Sequence, residues 1–311
     1  MSQFLANRMA FFNRRDYDQS DFAGSLFYAK NIPALWIRPS NETLSNKLMI
    51  YYYGNASTLR MCHTMLIKLR DRYKSHTKAH EYPRYGLSRS TLLTIRELKQ
   101  SIRDFITFVV SELHFKLSDI VIVSYCIGGG PAFIAASEFE VAALVSVSPL
   151  ASMETYMRDE SYTIAVSGIW PEFMNNIECA KRVRCPSLIV QGFDDITSTK
   201  SQVAAIFQHI NCPRKYMMRY KKEKHVMRWE RTVLPAMTTF FEMIGMQFSC
   251  NDNNNSNNSD DIYKREPVEH YREHFYPSND PMWPVLTKHY SIWLLYLTVF
   301  LYMIHCCIMH D

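Results

Sequence analysis

The chain has 311 residues, 47% of them apolar, and a formal net charge of +5. That apolar content is enough to bury a sizeable core. Its Lys and Arg are scattered, with only Lys221-Lys222-Glu223-Lys224 approaching a cluster, which argues against a nucleic-acid partner and leaves a basic rim facing an anionic membrane as the better reading.

Cysteine usage points to a reducing compartment. The eight cysteines show no regular framework spacing and no C-x-x-C occurs. The opening Met1-Ser2-Gln3-Phe4-Leu5-Ala6-Asn7-Arg8 lacks a continuous apolar run, so no cleaved signal peptide is expected.

In chain order, Thr94–Leu113 carries Ile95, Leu98, Ile102, Phe105, Ile106, Val109 and Leu113 at three-four spacing, which predicts a helix covering a sheet. The run Asp119-Ile120-Val121-Ile122-Val123 predicts a buried strand. It enters Ser124-Tyr125-Cys126-Ile127-Gly128 and then a helix-like stretch, Gly129–Phe139. Strand, tight turn and helix are the setting of the nucleophile elbow, G-x-S-x-G, in which a strained turn lifts one side chain clear of a parallel sheet. Here Ser124 stands at the first glycine, the last glycine is kept as Gly128, and Cys126 stands at the apex.

A second apolar run, Val141–Val147, predicts the next strand, and Leu150–Phe173 then lies where a segment capping the site belongs. Its Met153, Tyr156, Met157, Tyr162, Ile169 and Trp170 suit either an acyl chain or ordinary packing. The strand Cys185–Gln191 runs into Gly192-Phe193-Asp194-Asp195, which puts Asp195 at the carboxyl edge, with Asp194 as the alternative acid. After a helix near Ser201–His209 and a strand Lys215–Tyr220 comes His225, followed by a helix-like stretch Trp229–Ile244. Nucleophile, acid and base thus each follow a strand, in the chain order an elbow hydrolase requires.

In this reading Cys126 attacks a carbonyl as thiolate, a state favoured by the elbow, the adjacent helix N-terminus and a histidine partner. His225 takes the thiol proton and returns it to the leaving group, and Asp195 orients His225. Backbone N–H groups of Asn55 and Ile127 form the oxyanion hole. No cofactor motif is present. His270 and His274 are four residues apart but lie in a polar stretch that reads as a solvated face rather than a metal site.

With these residues in place the chain resembles the α/β-hydrolase superfamily and, within it, the abhydrolase-domain membrane-associated protein depalmitoylases. The resemblance covers roughly residues 30 to 246 and takes in three further matches. Tyr53-Gly54-Asn55-Ala56 matches a strand-ending H-G-N-A, Glu81-Tyr82-Pro83-Arg84-Tyr85-Gly86-Leu87-Ser88 matches D-Y-x-G-Y-G-x-S, and Phe173–Glu178 matches the helix before the acid strand. It implies a mostly parallel sheet covered by helices on both faces, and a thioesterase or esterase acting on acylated protein or a lipid-like ester.

Departures from the pattern are equally plain. Tyr53 replaces the histidine before the oxyanion glycine, Gln191 replaces a histidine, Lys222-Glu223-Lys224 replaces a glycine-rich approach to His225, and Val226 replaces an asparagine. Nine glycines in 311 residues is well below the average usage of about 7%. The same sequence therefore also admits a catalytically inactive hydrolase fold kept as a membrane-tethered binding or scaffold protein.

Four segments are expected: an N-terminal extension, 1–29; the hydrolase domain, 30–248; a disordered Asn-rich and polar linker, 249–289; and an apolar segment, 290–311. Within the last, the uncharged run Ile292–Met309 would reach about 27 Å as a helix, close to a hydrocarbon core. A C-terminal membrane anchor is the leading expectation, with the catalytic domain on the cytoplasmic side. An interfacial or lipid-anchored segment bearing Cys306 and Cys307, or docking onto the domain, are the alternatives.

Overall fold

A computed structural model describes residues 17–22, 24–39, 45–55, 57–88, 94–159 and 174–248, and the backbone of 269–271. The chain divides after His274, and its second unit, Phe275–Asp311, lies outside the described residues, as does the expected apolar helix. Among the described residues no helix is long and apolar enough to cross a membrane.

Among the described residues nine strands form one sheet: β1 (Leu26–Ala29), β2 (Ile32–Ile37), β3 (Leu48–Tyr52), β4 (His76–His80), β5 (Ile120–Tyr125), β6 (Ala143–Val147), β7 (Ser187–Gly192), β8 (Lys215–Tyr220) and β9 (Glu269–Tyr271). Their spatial order is β1-β2-β4-β3-β5-β6-β7-β8-β9. The six strands from β4 to β8 in that order run parallel, while β1, β2 and β9 join antiparallel at the two edges. Every residue of β3, β6 and β7 is buried. A parallel strand covered on both faces has no solvent side, which is why these segments are mostly apolar and show no alternation.

The helices are α1 (Leu59–Tyr73), α2 (Ile95–Ser111), α3 (Gly129–Glu138), α4 (Met153–Asp159), α5 (Asn176–Ala180), α6 (Lys200–His209) and α7 (Leu234–Met243). Thr77 and His80 of β4, an odd number of positions apart, meet two of them on opposite faces. Thr77 donates its hydroxyl to Leu66 O of α1 at 3.0 Å, while the His80 ring lies 4.3 Å from that of Phe105 in α2. The expected α2 stripe is the buried one, comprising Leu98, Ile102, Phe105, Ile106 and Val109, and a Thr94–Glu97 capping box starts the helix. Helix α3 carries no charge before its last residue and is buried through Ala136, as suits a helix at the centre of the domain.

Two boundaries differ from the sequence reading. Leu26–Ala29 belongs to the stretch read as an extension, yet it hairpins onto β2, with Leu26 opposite Leu35. Glu269–Tyr271 belongs to the stretch read as linker, yet it pairs with Met217–Arg219 of β8. Both are short edge strands of three or four residues, too brief for a periodic signal to stand out.

In-register pairing aligns the carboxyl ends of the parallel strands: Tyr52 with Ser124, Tyr125 with Val147, Val147 with Val190, and Gly192 with Tyr220. Loops leaving these ends meet on one edge, and the chemistry-bearing residues lie in them.

Candidate active site

Cys126 follows β5 directly with φ of +55°, a left-handed conformation that non-glycine residues adopt at a cost. A short 3-10 turn, Cys126–Gly128, passes into α3 without a break. The turn lies hard against the end of β3, for a Cβ on Gly128 would come 2.2 Å from Tyr52 O and 2.7 Å from Tyr53 O. Gly128 is thus the glycine that the elbow cannot replace. Ser124, at the position of the other elbow glycine, is fully buried and shares a 2.8 Å hydrogen bond with Ser146 of β6. Its hydroxyl is absorbed by the sheet.

Asp195 lies three residues past β7 and is buried. Its Oδ1 accepts from the backbone N–H groups of Thr197 at 2.9 Å and Ser198 at 2.8 Å, closing a tight turn around the carboxylate. His225 Nδ1 reaches both carboxylate oxygens, at 3.1 and 3.0 Å. Asp194, the alternative acid, is exposed and uses its backbone N–H on Glu223 O at 3.0 Å.

Burial lowers the pKa of His225, but hydrogen bonds from its ring to Asp195 and Cys126, and the charges of both, outweigh burial and push it up to about 10. The His225 ring therefore lies between the acid and the Cys126 side chain. The three residues picked from sequence meet at one place.

Of the expected oxyanion donors, Asn55 lies in the loop after β3 and Ile127 directly follows Cys126 in the chain. A Cβ on Gly54 would lie 3.5 Å from Cys126 Cβ, so the loop after β3 touches the elbow, and Ile127 is the next residue along it. Tyr85 donates to Asn55 Oδ1 at 3.1 Å, and Tyr82 donates to Tyr53 O at 2.8 Å. Both tyrosines come from the motif after β4, which thereby fixes the loop after β3.

The departures from the family pattern have local substitutes. Tyr53 donates to Glu81 Oε1 at 2.9 Å, and Glu81 Oε2 accepts from Tyr17 at 2.5 Å and from Leu87 N at 2.9 Å. Burial raises the Glu81 carboxyl above its ordinary range despite these donors. Gln191 donates to Ser198 O at 2.6 Å and accepts from Arg219 Nε at 2.9 Å, bracing the Asp195 turn. In the approach to His225, Lys222 takes φ of +63°. Buried Glu223 ties the same loop down through Arg228, at 2.9 and 2.7 Å, and Thr232 at 2.7 Å. Sequence reading missed the part played by Tyr17, which lies in the supposed extension.

Behind the elbow, Ile127, Gly130, Leu150, Met153, Met174 and Asn176 close around a narrow crevice with no room for a water-sized sphere. The capping residues Tyr162, Ile169 and Trp170 lie outside the described residues, and so does Ala56 of the oxyanion motif. The described cysteines Cys62, Cys126, Cys179, Cys185 and Cys212 are free thiols. Among the described residues no group of three or more His, Cys, Asp or Glu is placed to hold a metal ion. His270 belongs to β9 by its backbone, and His274 lies outside the described residues.

No family profile matches the chain. It is 22% identical over 182 residues to a protein of Acanthamoeba polyphaga mimivirus named as an α/β hydrolase, spanning 58% of this chain and 67% of that one. It is 27% identical over 169 residues to the α/β-hydrolase domain-containing protein aho-3 of Caenorhabditis elegans, spanning 54% of this chain and 49% of the nematode protein. The structure of an esterase from Pyrococcus furiosus superposes with a TM-score of 0.57 at 15% identity, covering 75% of this chain and 97% of the esterase. The fold is that of an α/β hydrolase.

Proposed function

We propose that this chain is an α/β-hydrolase-fold acyl hydrolase in which Cys126 is the nucleophile, His225 the general base and acid, and Asp195 the residue that orients His225. The observation that carries the proposal is His225, bridging a buried carboxylate at 3.0 Å and the side chain at the strained elbow apex. The Cys126 sulfur attacks the acyl carbon, its proton resting on His225. The carbonyl oxygen takes the electron pair and is met by the N–H groups of Ile127 and Asn55. Collapse forms acyl-Cys126 and expels the alcohol or thiol, which receives the proton from His225. Water, deprotonated by His225, then attacks the acyl-enzyme to release the acid and restore the thiol.

The substrate class is an acyl ester or thioester. A palmitoylated protein enters through the depalmitoylase resemblance alone. Residence on a membrane, with the catalytic domain on the cytoplasmic side, rests instead on the uncharged apolar run Ile292–Met309 within residues 290–311. Deleting those residues should move the protein from the membrane to the soluble fraction.

A second reading is favoured by one observation. The crevice beside the elbow has no room for even a water-sized sphere, whereas pockets that engulf a drug-sized ligand measure roughly 300–1,000 Å³. An inactive hydrolase fold serving as a membrane-tethered scaffold needs no acyl pocket. Turnover of activated esters and thioesters by the wild type, Cys126→Ala and Cys126→Ser decides between the two. Activity in the wild type that Cys126→Ala abolishes supports the enzyme. Activity confined to Cys126→Ser means that cysteine has silenced intact machinery, and none in either supports the scaffold.

A further inference from the structure

Directly beyond the paired acid and base stand the two most exposed large apolar side chains among the described residues, Ile196 at 86% and Val226 at 78%. Each immediately follows one member of the 3.0 Å Asp195–His225 pair. Asp195 accepts from Thr197 and Ser198 N–H, so the turn closes behind Ile196 and leaves it at the tip. The two tips belong to one surface, because Phe193 N donates to Tyr220 O at 2.9 Å and Asp194 N to Glu223 O at 3.0 Å.

Lysines surround these tips. Lys221, Lys222 and Lys224 are exposed, with no ion-pair partner among the described residues. Lys200 lies 3.3 Å over the Phe193 ring. The acidic groups nearby do little to offset them. Glu223 is neutralised by Arg228 at 2.7 Å, Glu230 pairs with Lys68, Asp195 faces His225, and Asp194 alone is exposed and unpaired among the described residues.

An isolated exposed aliphatic residue is ordinary surface. Two at adjacent loop tips, ringed by lysine, instead combine apolar insertion with attraction to anionic headgroups. We propose that the mouth of the Cys126–Asp195–His225 site docks on an anionic lipid surface, with Ile196 and Val226 entering the headgroup layer and Lys221, Lys222 and Lys224 meeting its charges. The surface then faces the bilayer from which an acyl group would be drawn. The docking is independent of the C-terminal segment and does not require Cys126 to turn over.

Amide hydrogen exchange of the full chain, with and without vesicles, tests this at the loops themselves, whatever else holds the protein to the membrane. With phosphatidylserine-containing vesicles, segments 193–198 and 221–228 should exchange about tenfold more slowly, and with pure phosphatidylcholine vesicles they should be unchanged. Cys126→Ala should behave as the wild type, which separates this proposal from the catalytic one. The double variant Ile196→Ser, Val226→Ser, both at exposed sites, should lose the protection while keeping its Tm, and Lys222→Glu should weaken it about fivefold or more. Unchanged exchange in both segments while the protein sediments with anionic vesicles would overturn the proposal. Equal protection on neutral vesicles, or protection by a soluble protein and not by vesicles, would do so as well.

Discussion

His225 faces Asp195 edge-on, with Nδ1 3.0 and 3.1 Å from the two carboxylate oxygens, while two backbone N–H groups grip the same carboxylate from behind. The carboxylate is therefore held in place, and with it the direction of the His225 ring. Asp195→Asn keeps the shape but can present an amide N–H where the imidazole donates. Provided the wild type turns over, kcat/KM should fall by about 10²–10⁴, with Tm little changed. A loss below tenfold would mean that Asp195 merely caps its turn.

The same pairing makes stability depend on pH. His225 titrates ordinarily near 6.5 and is pushed up to about 10 in the fold, so the native state holds a proton that the unfolded state has released. Its stabilisation is complete below pH 6.5 and is lost as pH rises through 10. The difference in unfolding free energy between wild type and His225→Ala should therefore shrink steadily from pH 6.5 to 10 in urea titrations. A difference that stays constant over this range rules out the pairing as a source of stability.

The candidate site was legible in sequence because each of its members lies in the loop that follows a strand. An apolar run followed by Cys126 or by Gly192-Phe193-Asp194-Asp195 marks the carboxyl edge of a parallel sheet, and the choice of Asp195 over Asp194 follows from which carboxylate faces inward. Edge strands β1 and β9 were not legible, since three or four residues leave no period to count. Nor was α1, whose buried Leu59, Cys62, Leu66, Leu69 and Tyr73 are diluted by charged residues between them. The Tyr17–Glu81–Tyr53 cluster joins residues 28 and 64 positions apart, a juxtaposition that only the folded chain reveals.

Close backbone approach marks the glycines on which the site depends. A Cβ on Gly192 would come 2.5 Å from both Glu223 O and Lys224 O, so Gly192→Ala must push the His225 loop away from the acid strand. Activity should fall at least tenfold, alongside a stability loss of about 1–3 kcal/mol typical of overpacking. Gly245→Ala, where φ is +69° and nothing lies within 4 Å, is the control. Its strain should cost about 1 kcal/mol and leave activity intact. Equal effects on activity would refute the argument from approach.

Far from the elbow, Lys78 of β4 is fully buried, and its Nζ has no hydrogen-bond partner among the described residues. The amine sits 3.5 Å from the Trp36 ring centroid and 4.6 Å from that of Phe27. Burial, aided by the nearby Arg38, lowers its pKa to about 6. The native state thus binds fewer protons than the unfolded chain between pH 6 and 10.5, and by linkage this residue makes the protein more stable as pH rises, the opposite slope to His225. Lys78→Met keeps the unbranched stem, and its thioether packs well against aromatic rings. It should stabilise the fold by roughly 1–4 kcal/mol at pH 7, with the gain largest near pH 6 and shrinking toward pH 10.5. Thermal melts of the two proteins at pH 6, 8 and 10 measure this directly. If Lys78→Met is destabilising at pH 6, the aromatic cage holds a charged ammonium more favourably than burial penalises it, and the assignment of a neutral amine is wrong.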